Sequence, residues 1–62
     1  MDAIEMLEAI RKELSDVIVV RDMAIRREAW KAVSLANMEI IELTHMVDEA
    51  TDLVVAVDVM AA

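Results

Sequence analysis

A chain of 62 residues with no Cys, Gly or Pro, 60% hydrophobic residues and a net charge of −7 excludes a disulfide scaffold, a thiolate zinc site and a glycine-rich phosphate loop. Its acidity also argues against direct binding to nucleic acid, whose phosphates select basic surfaces. It offers no apolar run of the roughly 18 residues a membrane-spanning helix needs, and the acidic start Met1-Asp2-Ala3 does not read as a secretory signal, so a cytoplasmic setting is expected.

With nothing in the composition to interrupt a helix, the expected fold class is all-α, with residues 1–62 as a single helical domain. Asp2-Ala3-Ile4-Glu5 fits a capping box and predicts the first helix start. Apolar residues then recur at Ala3, Leu7, Ile10, Leu14 and Val17, the 4-3-4-3 spacing of a helical seam. Glu8 and Lys12 lie off the seam as a favourable i,i+4 pair.

Val17 to Val20 reads VIVV, which on propensity alone suits a strand. Four residues between Asp16 and Arg21, with no partner strand, make a poor sheet, and a helix buried on more than one side is expected instead. A second seam runs Ile25, Ala29, Ala32, Ala36, Ile40, Leu43, Val47, Ala50, Val54, Val57 and predicts a long second helix ending near Val59. The first seam projects onto Arg21 and Ala24, whereas the second begins at Ile25, so the chain turns or slips between them. Arg21–Met23, with Asp22 as the next cap, and Ser34–Asn37 are the candidate turns. A single helical rod is the alternative to a hairpin.

The charge is unevenly distributed. Residues 1–31 hold all six basic residues against seven acids, and residues 32–62 hold six acids and no Lys or Arg. The cluster Arg21, Arg26, Arg27 and Lys31 is thus complementary to the second half, within a hairpin or across copies. So many aliphatic side chains are hard to cover within one short chain, which buries only about 60% of its unfolded surface. A homo-oligomer is expected, most simply a dimeric four-helix bundle of two helical hairpins, with Leu7, Leu14, Ile25, Trp30, Ile40, Leu43, Val47 and Val54 as interface residues. Trp30, the one aromatic residue, is the expected anchor.

Asn37 to Asp52, NMEIIELTHMVDEATD, concentrates carboxylates around the single His. Glu42-Leu43-Thr44-His45 is the E-x-x-H by which carboxylate-bridged dimetal bundles supply two ligands from one helix; Glu5, Glu8 or Glu39 of a second copy would complete such a site. Glu39-Ile40-Ile41-Glu42 followed by Glu49-Ala50-Thr51-Asp52 resembles the E-x-x-E and E-x-x-D pair of the all-α MazG-like nucleotide pyrophosphohydrolases. That resemblance implies magnesium held against a triphosphate by Glu39, Glu42, Glu49 and Asp52 from two antiparallel helices, although here only six residues separate the motifs. Magnesium, manganese or iron would be the metals of these alternatives, with His45 a further ligand.

At about 100° per residue on one continuous helix, Glu42, His45, Glu49 and Asp52 instead fall opposite the seam, on a solvated face. Glu39 and Asp58 fall at the seam's edges, where a partner among the basic cluster would fix register. The expectation is therefore no catalytic residue, no cofactor and no metal. The expected role is a self-associating structural or protein-interaction module, of a small accessory or phage-type protein or a designed chain, with an acidic inhibitor of a basic partner protein as an alternative. AWKAVSLANMEIIEL also resembles a stretch of gas-vesicle shell proteins, which implies a β-hairpin there; the helical seam and the missing turn glycine favour a helix.

Overall fold

The computed structural model describes residues 2–61 and contains two helices, α1 (Ala3–Arg26) and α2 (Trp30–Ala61), packed against each other as a hairpin, with no strand among the described residues. At its start, α1 is capped by Asp2 as its sequence predicts, whereas the other half of the expected capping box, a return bond from the Asp2 amide to the Glu5 carboxylate, is not formed among the described residues. The Asp2 carboxylate accepts from the Glu5 amide at 2.8 Å, relieving one of the orphan first-turn donors, and the Asp2 carbonyl accepts the first intrahelical bond, from the Met6 amide at 3.0 Å.

The turn lies at Arg27–Ala29, between the two expected positions: Arg21–Met23 is inside α1 and Ser34–Asn37 inside α2. Glu28 takes a left-handed backbone, φ 57°. This lets its amide reach the Ile25 carbonyl at 3.0 Å and lets the Ala29 amide reach back to Ala24 at 2.9 Å. The paired bonds are those of a Schellman cap, with Glu28 where glycine is the usual choice. The next helix follows at once, as the Ala29 carbonyl accepts from Val33 at 3.0 Å.

The first seam runs further than its apolar letters suggest. Ala3, Leu14, Val17 and Arg21 are half-buried, and Leu7, Ile10 and Ala24 are buried, so α1 keeps one packing register to its end. Arg21 occupies a seam position half-buried, and its guanidinium reaches Asp22 at 3.3 Å.

The second seam holds from Ala36 to Val54, where Ala36, Leu43 and Ala50 are buried and Ile40, Val47 and Val54 half-buried. Its first two members, Ile25 and Ala29, belong to α1 and the turn. The helix runs through Val59 to Ala61. Residues 30–43, which the shell-protein resemblance would make strands, are helical.

Leu7, Ile10, Leu43 and Ala50 form the core, with Leu14, Val17, Val47 and Val54 packed against it. Closer to the turn only Ala24 and Ala36 are buried, small residues that let the two backbones approach closely. VIVV is helical, as expected, but it is covered on one side alone: Val17 and Ile18 are half-buried, whereas Val19 and Val20 are each 56% exposed. Two helices touch along one line and cannot enclose a third direction. The molecule measures 50 × 14 × 14 Å.

Candidate functional site

The acidic stretch lies on unbroken α2, so its members are separated by helix rise alone. Glu42 and Asp52 stand about 15 Å apart at 1.5 Å per residue, beyond the reach of one ion. Glu39, Glu42, His45, Glu49 and Asp52 are all exposed. Among the described residues no group of three or more His, Asp or Glu side chains lies close enough to hold a metal. The two antiparallel helices that the pyrophosphohydrolase resemblance requires are one helix here, and Glu39 and Glu42 do not face Glu49 and Asp52. The hydroxyls in the stretch are engaged locally: Thr44 donates to the Ile40 carbonyl and Thr51 to the Val47 carbonyl, both at 2.7 Å, the back-bonding typical of Thr within a helix.

What the chain presents is apolar surface. Of the residues expected at an interface between copies, Leu7, Leu14, Ile40, Leu43, Val47 and Val54 are engaged in or beside the hairpin's own packing. Ile25, 43% exposed, and Trp30, 60% exposed, remain outside it.

The larger uncovered set flanks the α2 seam. Leu35, Met46, Leu53 and Val57 are 46–60% exposed and fall within about 40° of one another on the helix. Periodicity places Val57 in the seam itself, where the structure leaves it 58% exposed, and it hides the other three, because a second stripe beside a seam looks like one broad seam in a helix that is hydrophobic nearly all round. Two shallow grooves mark this side of the hairpin. One, of about 120 Å³, runs between Met6 and Ile10 of α1 and Met46, Ala50 and Leu53 of α2, with Glu49 at its rim. The other, of about 270 Å³, lies at the turn end between Val20, Met23 and Ala24 and the pair Ala29 and Ala32, with Arg27 as its one charged residue.

The charges are separated along the hairpin. Arg21, Arg26, Arg27 and Lys31 gather at the turn end with two acids, Asp22 and Glu28. The part of α2 beyond His45 holds Asp48, Glu49, Asp52 and Asp58 and no Lys or Arg, beside the first half of α1, where Asp2, Glu5 and Glu8 outnumber Arg11 and Lys12. Among the described residues the one ion pair within 4 Å is Arg21–Asp22. The basic cluster does not meet the acids of α2 within a chain.

Together these features define an α-helical hairpin with an acidic outer face, an uncovered apolar side and oppositely charged ends. No helix among the described residues is long and apolar enough to cross a membrane. Compared with known protein families, with curated proteins and with solved structures, the chain matches none.

Proposed function

We propose that this protein is a self-associating helical hairpin, most simply a dimeric four-helix bundle, that acts as a structural or protein-interaction module. The observation that carries this reading is the exposed area. The hairpin presents 4915 Å² to solvent, whereas a compact monomer of its mass presents roughly 4,000 Å². The surplus of about 900 Å² is close to one partner's share of a standard protein interface, about 800 Å². Four-helix packing supplies the missing layer, since the side chains flanking each seam become the core between hairpins.

Sedimentation across a concentration series tests it. The expected species at tens of micromolar is a dimer of about twice the 6.9 kDa chain mass, and a persistent monomer overturns the reading.

A second reading, an acidic surface that occupies a basic partner protein, is favoured by the exposed stripe of Glu42, Glu49 and Asp52. Neutralising those three is expected to abolish capture of such a partner while leaving self-association intact.

A further inference from the structure

α2 is eight residues longer than α1, 32 against 24, and the difference falls at the open end of the hairpin. The end of α2 extends beyond the start of α1 and is apolar: Val59 and Met60 are 71% and 86% exposed. Beneath this overhang lies a shelf of about 340 Å³ formed by Asp2, Ala3 and Ile4 with Val54, Val57 and Asp58. Asp58 is the one charged side chain in residues 53–62, and it sits at the negative end of the α2 dipole, where a carboxylate is disfavoured unless it meets a cation. At the opposite end of the molecule is the groove beside the turn, apolar except for Arg27. Each hairpin therefore carries an uncovered apolar tip with two carboxylates at one end, Asp58 and the helix-capping Asp2, and an apolar groove with one guanidinium at the other.

We infer that the second copy lies antiparallel to the first, so that the overhanging end of each α2 covers the turn groove of its partner, with Asp58 of one chain against Arg27 of the other. This deepens the self-association reading and rests on it. Turn-to-turn alignment would oppose the two basic clusters and the two acidic ends. Antiparallel alignment brings opposite charges together at both ends, and a two-fold axis across the middle of the hairpins makes the same contact twice and closes the assembly.

Charge reversal tests the arrangement. Arg27→Glu and Asp58→Arg, each alone, are expected to raise the dimer dissociation constant about tenfold or more, because both ends of each homodimer then oppose like charges. Mixed in equal amounts, the two variants are expected to recover wild-type affinity as a heterodimer, because both contacts are again of opposite sign. Unchanged or tighter association of Arg27→Glu, or no recovery on mixing, overturns the inference while leaving self-association standing. A monomeric wild-type chain overturns both.

An orientation readout on a folded dimer is independent of either reversal. The chain has no cysteine, so Glu28→Cys carries a single label, and the antiparallel dimer separates the two labels by a distance approaching the 50 Å length of the hairpin. Strong energy transfer between labelled turns overturns the arrangement.

Discussion

Glu28 holds the turn in a backbone conformation that penalises an L-residue by about 1 kcal/mol or more, and the two cap bonds it permits offset that strain. Glu28→Gly is expected to raise stability by about 1 kcal/mol, read as a higher denaturation midpoint with unchanged helicity; a drop would mean that the Glu side chain contributes something the backbone account omits. Asp2 is the opposite case, a residue whose role is readable from its letter, because a carboxylate before a helical run has a known acceptor geometry. The turn was not readable in this way. Without Gly, Pro or Asn in the connection, its only sequence traces were the charged run Arg26-Arg27-Glu28 and the phase break between seams. The spacing points to Arg21–Met23, too early, because Ile25 fits the second seam by coincidence and Arg21 does not look like a packing residue; the other candidate, Ser34–Asn37, is too late, since it lies within α2.

For the helices themselves, regular spacing carried most of the information. Leu7, Ile10, Leu43 and Ala50 are core because they recur on one line of each helix, while the β-branched run in α1 stays helical because tertiary packing outweighs a propensity difference of a few tenths of a kcal/mol per residue. Leu43→Ala is expected to destabilise the protein by roughly 2–4 kcal/mol, as a buried Leu in a small core. Ile41→Ala, two residues away at a 60% exposed position, is expected to shift the denaturation midpoint far less; equal losses would contradict the assigned register. The same spacing separates the acidic string into a wet stripe once α2 is known to be continuous. That continuity was the undecided point: a bend within Thr44–Asp48 would have brought Glu39 and Glu42 towards Glu49 and Asp52. What spacing could not resolve was the second apolar stripe beside the seam, because a monomer-sized core explains only the first.

As a whole the molecule is far from compact. Its radius of gyration of 14.7 Å exceeds the roughly 10.6 Å of a globular chain of this length, and its most enclosed side chains, Leu43 and Ala50, still retain 4% of their surface. A core this thin leaves little margin against chain entropy, so stability and association are expected to be one process. Raising the protein concentration tenfold is expected to add about 1.4 kcal/mol to the folded dimer and to move the thermal midpoint up by several degrees. A midpoint independent of concentration would place all the stability within one hairpin.

The three-residue connection also sets a tempo. Two helices joined through so short a link meet by local diffusion, and a link of this length closes in tens of nanoseconds; contacts between neighbouring elements form quickly. With no proline in the chain, no step waits on peptide isomerisation. In the proposed dimer, the slow event in assembly is then expected to be the encounter of two copies, whose rate is set by how many are present.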